Sequence, residues 1–392
     1  MTSRRTSLWH SAAAATVASI LVSGTVVMTT TAALAQSINA GDRQPVSELP
    51  FTVTEVGEFD TPWSIAFLPD GRMLVTEKPG AMYLVTQDGG KIEVEGMPQV
   101  SYSGQIGMLD VAPAPSFADD NKIYISYVGP GEGGSILELA TATLSESDGK
   151  ASLADLNVIF RQTPPGGRGQ PGGIIAFSPD NQHLFLSTGD RMVPDRAQDP
   201  DDTAGKILRL NLDGSIPDDN PNADKGGVQA MTWSMGHRNP YGLAFAPDGR
   251  LWEHEMGPKG GDEFNLIEAG KNYGWPEVSN GSQYSGTPIP DHSTRPEFAA
   301  PPLYWTPVIA PAGLTFYEGD MFPEWKGSAL IGGLAATTLV RVAFDGSGNP
   351  DEAERYDMEA RIRDVAVGPD GAVWLAVDDS PAPLLKLTPK AE

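Results

Sequence analysis

Along most of the chain, short apolar runs alternate with tight polar turns, and no long stretch carries the 3.6-residue apolar period of a helical domain. One plan recurs. Ser64-Ile65-Ala66-Phe67-Leu68 runs into Pro69-Asp70-Gly71 and resumes at Met73-Leu74-Val75, and the same order returns around Pro179-Asp180-Asn181, Pro247-Asp248-Gly249 and Pro369-Asp370-Gly371. Pro fixes φ, Asp bonds back to the backbone, and Gly or Asn accepts a positive φ, so each copy predicts a β-hairpin. The turn prolines lie 110, 68 and 122 residues apart, which fits a unit of about 60 residues with two looser copies. Those copies are read at residues 108–112 with 122–126, and at 314–317 with 329–331. The pattern predicts an all-β fold, a six-bladed β-propeller with four-stranded blades; a pair of stacked sandwiches is the alternative.

The first residues break the pattern. Arg4 and Arg5 precede an apolar run over residues 12–27, and Ala33-Leu34-Ala35 before Gln36 reads as a small-residue cleavage site. Residues 1–35 are therefore expected to be a signal peptide, 36–49 a polar N-terminal tail of the mature chain, and 50–392 the propeller, without a stable membrane anchor. That places the protein in the periplasm or outside the cell, and the paired arginines leave Sec and Tat export both open. The chain has no Cys, which excludes disulfides and thiolate metal sites. Its net charge of −24 excludes a nucleic-acid partner, because binding phosphates needs a basic surface.

In a propeller, the loops that lead into the innermost strands converge on one channel. This would bring together Trp63, Gln105, residues 164–173, Arg238 with Asn239, residues 306–310, and Arg361 with Arg363. Guanidinium groups bind carboxylates through a bidentate fork, so three arginines facing one pocket suit a polycarboxylate ligand. Pairing with local acids such as Asp364 is the competing reading. Gly257-Pro258 followed by Asp262-Glu263 sets exposed carbonyls beside carboxylates, a donor set for a hard cation or an ordinary solvated turn. Asp190 ends a strand either as an acid–base group or as a turn cap. The five His are scattered without metal-ligand spacing.

Gly236-His237-Arg238-Asn239-Pro240, Gly257-Pro258 with Asp262-Glu263, Asn272-Tyr273-Gly274-Trp275 and Arg361-Ile362-Arg363-Asp364 together resemble the soluble quinoprotein glucose/sorbosone dehydrogenases, also called aldose sugar dehydrogenases. The resemblance runs from Thr61 to Asp378. It implies a six-bladed propeller that binds pyrroloquinoline quinone (PQQ) and Ca²⁺ and oxidises the C1 hydroxyl of aldoses, passing electrons to a further acceptor. It also implies residue roles: Arg238, Asn239, Arg361 and Arg363 on PQQ, the Gly257 and Pro258 carbonyls on its Ca²⁺, and Gln105 and Asp190 beside the substrate. Asp262, Glu263 and Tyr273 match a second Ca²⁺ region.

Four positions depart from the family pattern. Gln170 stands where the family has its proton-accepting His, Ala335 where it has a quinone-binding Lys, Met256 replaces a His, and Val308 a small hydroxyl residue. An amide is no general base near neutral pH. Two readings follow: an enzyme whose base has moved to Asp190 or His254, or a propeller that binds PQQ, a sugar or another anion without turnover. Substrate, electron acceptor and oligomeric state are not fixed by the sequence.

Overall fold

The Pro-Asp turns close as their chemistry predicts. Leu68 N–H donates to the Arg72 carbonyl at 2.7 Å and Gly71 N–H to the Leu68 carbonyl at 2.9 Å, with Gly71 at φ +85°. Asp70 Oδ1 accepts the Arg72 N–H at 3.0 Å. Asp180, Asp248 and Asp370 do the same for the residue two positions on, at 3.0–3.1 Å. These turns pair Pro62–Phe67 with Met73–Glu77, Gly172–Phe177 with His183–Thr188, Pro240–Phe245 with Leu251–Glu255, and Ile362–Val367 with Val373–Val377. The two looser copies pair as well: Met108–Pro113 with Lys122–Gly131, and Pro311–Phe316 with Ala329–Gly333.

This computed structural model describes residues 1–2 and 37–390; the apolar leader and its cleavage site lie outside the described residues. No described helix is long and apolar enough to cross a membrane. The fold is all-β, built of antiparallel meanders that grow from the hairpins. The first strand of each meander packs against the first strand of the next, and Ile362–Val367 packs back against Pro62–Phe67, closing the series on itself. Phe51–Phe59 completes the last meander by pairing with Ala382–Pro389, so one sheet joins an early strand to the last described one.

Order begins earlier than the polar composition of residues 36–49 suggests. Ile38–Asn39 pairs in parallel with Leu303–Tyr304, Ala40 is fully buried, and Val46 bridges to Tyr356. The anchor is polar, which is why no apolar period announced it. The Asn39 Oδ1 accepts the N–H groups of Gly41 at 2.9 Å and Thr306 at 3.0 Å.

Carboxylates stitch neighbouring first strands together. Asp110 accepts the Ile175 N–H at 2.8 Å and the Ser64 hydroxyl at 2.7 Å, and Asp364 accepts the Ile65 N–H at 2.8 Å. With Trp63, Tyr241 and Arg363 they line a cavity of about 290 Å³. Burial pushes the Asp110 carboxyl up to about 6 and that of Asp364 up to about 7. Because these folded-state values lie above the unfolded ones, the stability they contribute is full in acid and is lost as pH rises through them. Asp364→Ala, which strands the buried Ile65 N–H, is expected to cost about 1–3 kcal/mol. Asp364→Asn is expected to flatten the decline in Tm between about pH 4 and 7; thermal melts across pH check both.

Candidate active site

Two backbone N–H groups open the site. Gly236 turns the chain at φ +80°, where a Cβ would lie 2.2 Å from the Asn272 side chain. The N–H groups of Arg238 and Asn239 then both meet the Oε2 of buried Glu255. The Arg238 guanidinium turns the other way. It donates to the Met256 carbonyl at 2.7 Å, the Gly257 carbonyl at 3.3 Å and the Tyr284 hydroxyl at 3.2 Å, and it lies 5.3 Å over the Trp275 ring. Those partners are all neutral, and its Nε has none. Arg238 thus holds an almost fully buried positive charge that no acid among the described residues contacts with its side chain, facing a loop of carbonyls.

Arg361 and Arg363 sit on the opposite wall and share one acid. Asp378 takes Arg361 on Oδ2 and Arg363 on Oδ1, each at 2.8 Å. Burial acts against ionisation of Asp378, but Arg363 and Arg361 outweigh it and hold the carboxyl below the usual range. Asp364, the acid next to Arg363 in sequence, is engaged elsewhere with the Ile65 N–H. Arg363 stacks 4.3 Å over Trp63 and 5.7 Å from Tyr241, while Arg361 is half exposed and also reaches the Leu334 carbonyl. Lys78 joins this side: burial and the nearby Arg363 lower its pKa. Two guanidiniums on one carboxylate, with a lysine beside them, leave a net positive wall.

The third side carries Gln105, Gln170 and Asp190. The Gln105 Oε1 accepts the Gln170 N–H at 2.7 Å, which fixes Gln170 in a left-handed conformation, φ +48°. Its carbonyl takes the Arg191 N–H, and its side-chain Oε1 accepts the Met192 N–H at 3.1 Å. Asp190 Oδ1 accepts that same N–H at 2.7 Å, so the Gln170 amide and the Asp190 carboxylate meet over one donor. The other oxygen, Oδ2, accepts the Trp275 indole N–H at 2.8 Å. Burial pushes Asp190 up to about 6, against the stabilising Trp275 bond and the charge of Arg238. The result is a carboxylate ionised at neutral pH yet basic enough to accept a proton. His254 offers no alternative: it is fully buried in Leu251–Glu255, bonded at 2.9 Å to the Gly313 carbonyl, and burial lowers its pKa to about 4.

Among the cation candidates, Gly257 is shaped by Asp262, whose carboxylate accepts the N–H groups of Gly257, Ile309 and Ala310 at 2.7–2.8 Å. Asp262 Oδ1 thereby orients the loop that carries the Gly257 and Pro258 carbonyls, and Oδ2 ties it to the loop at Ile309 and Ala310. Glu263 pairs with His292 at 3.0 Å, and the Tyr273 hydroxyl bonds within its own turn to the Leu266 carbonyl. Glu255, Glu263 and Tyr273 line a void of about 10 Å³, room for about one water-sized occupant.

The sides connect into a perimeter. From Arg238 it passes through Gly257 and Asp262 to Ala310, whose carbonyl takes the Leu334 N–H. Leu334 leads to Arg361, Asp378 and Arg363, and Trp63 with Tyr241 returns it toward Asn239, which accepts the Gly172 N–H beside Gln170. Along it, fixed cationic groups share the perimeter with the buried Asp190 carboxylate, an arrangement suited to a ligand with several carboxylates held beside a proton acceptor.

A profile of glucose/sorbosone dehydrogenases matches residues 59–386. The chain belongs to this family. It is 37% identical over 342 residues to the aldose sugar dehydrogenase YliI of Escherichia coli K12, covering 85% of this chain and 91% of the relative. The crystal structure of the soluble aldose sugar dehydrogenase from Escherichia coli in its apo form superposes with a TM-score of 0.80 at 37% identity, covering 87% of this chain and all of that one. The PQQ-bound aldose sugar dehydrogenase of Streptomyces coelicolor superposes with a TM-score of 0.71 at 28% identity, covering 88% of this chain and 99% of that one.

In this glucose/sorbosone dehydrogenase family member, the departures noted in sequence fall around the perimeter. Met256 sets its sulfur 3.8 Å from Asn239 Nδ2, and Ala335 N–H bonds to the Ile309 carbonyl, one residue from Val308. Sequence reasoning missed Asp378, Lys78, Tyr241 and Arg191. Asp378 was within reach, since extending the Pro369-Asp370-Gly371 hairpin pairs Ile362 with Val377 and sets Asp378 against Arg361. Arg191 gave no signal: it is buried and left-handed, and its guanidinium binds Gln162, Ser135 and the Gly167 carbonyl, holding the Gln170 loop in place.

Proposed function

We propose that the protein is an exported, PQQ-dependent dehydrogenase that oxidises the C1 hydroxyl of an aldose, or a related alcohol, and acts in the periplasm or outside the cell. Its closed series of meanders is read as a six-bladed β-propeller with four-stranded blades, the site lying at the mouth of the channel. Asp190 carries the reading: a buried carboxylate meeting Gln170 over the Met192 N–H, on the same perimeter as the Arg238 and Arg363 charges. Arg238, Asn239, Arg361 and Arg363 hold PQQ, with Lys78 adding a cation near the gap left by Ala335, and the Gly257 and Pro258 carbonyls hold its Ca²⁺. Glu263 and Tyr273, beside the small void and with Asp262 shaping the loop, form a second Ca²⁺ region.

PQQ, when bound, supplies the acceptor for the hydride that leaves C1, and a further acceptor then removes the electrons. The chain contributes orientation and proton handling. Gln105 holds the Gln170 loop and faces the sugar, and Asp190 takes the hydroxyl proton on Oδ1 or Oδ2. A second reading rests on Gln170 itself: with an amide at the family's His position, the site binds PQQ, a sugar or another anion without turnover.

The mature chain, loaded with PQQ and Ca²⁺ and given an aldose panel, is expected to reduce an artificial electron acceptor. Saturable PQQ binding with no turnover across aldoses and alcohols would select the second reading.

A further inference from the structure

One hydrogen bond behind Arg238 and Asn239 lies a cluster that the proposed reaction does not use. His237, Glu253 and Glu255 are all buried, and one ligand atom from each falls within 4.8 Å of the others. His237 Nδ1 stands 3.6 Å from Glu255 Oε1 and 4.0 Å from Glu253 Oε2, and it has no hydrogen-bond partner among the described residues. The Glu253 Oε1 has none either. The ring is fixed from its far side: Nε2 lies 2.9 Å from the Ser234 hydroxyl, and the imidazole stacks on Tyr273 with centroids 4.9 Å apart. A second partner that holds one ring nitrogen commonly orients the other toward a metal.

Charge makes the same demand. Two buried carboxylates face one imidazole: Glu255 Oε2 meets the backbone N–H groups of Arg238 and Asn239, Glu253 Oε2 accepts the Asn265 amide at 3.3 Å, and among the described residues no Lys or Arg pairs with either carboxylate. A divalent cation cancels that charge. Ligands bound at about 2.0–2.2 Å around a tetrahedral ion lie roughly 3.4 Å apart, close to the two imidazole–carboxylate separations of 3.6 and 4.0 Å, while the carboxylates, within 4.8 Å of each other, must draw in further. An imidazole among the donors favours a borderline transition metal over Ca²⁺, which takes oxygen ligands.

We propose that His237, Glu253 and Glu255 bind a divalent transition-metal cation of the zinc class. This ion is separate from any Ca²⁺ at the Gly257–Pro258 carbonyls or at Glu263 and Tyr273. By fixing Glu255, it positions the two N–H groups that set the direction of Arg238 and Asn239.

Co²⁺ titrated into the untagged, chelator-stripped full mature chain is the test, and it reads the metal without PQQ or turnover. Visible d–d absorption is expected to saturate at one Co²⁺ per chain, to be displaced by Zn²⁺ and to survive excess Ca²⁺. It is expected to vanish in Glu253→Gln and to persist in Glu263→Gln. If Glu253→Gln fails to fold, the wild-type Co²⁺ form decides through its NMR spectrum, where a strongly shifted imidazole N–H that disappears in D₂O is expected. No saturable band, displacement by Ca²⁺, an unchanged band in folded Glu253→Gln, or no shifted N–H would each overturn the assignment.

Discussion

Asp190→Asn is expected to lower kcat by about a hundred- to ten-thousand-fold while PQQ affinity stays close to wild type and Tm falls by the loss of one buried bond. The asparagine keeps the shape, and its carbonyl oxygen still accepts one of the two donors, Met192 N–H or the Trp275 indole. Its Nδ2 faces the other donor, so the variant loses that bond together with the capacity to take a proton. The pH profile separates this from a structural effect. With Asp190 raised by burial to about 6, the base is protonated in acid, so kcat/KM should climb through pH 6 and level above it. Trp275→Phe removes an N–H that favours the ionised form and should move that limb to higher pH. A limb unmoved by Trp275→Phe, or full turnover in Asp190→Asn, would assign the proton to another group.

Arg238→Ala should weaken PQQ binding by about 2–5 kcal/mol, a loss of roughly thirtyfold to several thousandfold in Kd. The expected size follows from how this arginine is held. Arg361 and Arg363 already share Asp378, so a ligand carboxylate there competes with an existing partner. Arg238 has only neutral partners and an unpaired Nε, so a ligand anion gains its charge without displacing a protein acid. Arg361→Ala, removing a half-exposed group, should therefore cost less than Arg238→Ala. Equilibrium titration of PQQ into the three proteins measures the order, and an inverted order would relocate the anchor to the Arg361 wall.

The hairpins were legible because their instructions are local: each Pro-Asp turn carries its fixed φ, its side-chain acceptor and its positive-φ residue within a few positions. Candidate site residues in loops just before the first strands were legible for a related reason, since regular meanders bring those loops to one place. What escaped reading depends on partners far apart in sequence. Asn39 reaches Thr306, and Arg191 is defined by Ser135 and Gln162. The His237 cluster escaped for another reason. Glu253 and Glu255 share one face as alternate residues of a strand, but His237 comes beside them only through the long-range pairing of Leu251–Glu255 with Pro240–Phe245. Roles tied to a named motif, such as Asp262 in a cation region, gained a second meaning in three dimensions, because it joins the loop at Gly257 to the one at Ile309 and Ala310.

The sheet shared by Phe51–Phe59 and Ala382–Pro389 sets an order of assembly. The earliest strand of the series has no partner until the last has left the ribosome, so closure waits for the whole chain and falls at the slow, long-range end of folding. A chain cut short before Ala382 would keep its earlier hairpins yet present an open strand edge to other molecules. The clasp therefore makes concealment of the Phe51–Phe59 edge conditional on synthesis of Ala382–Pro389.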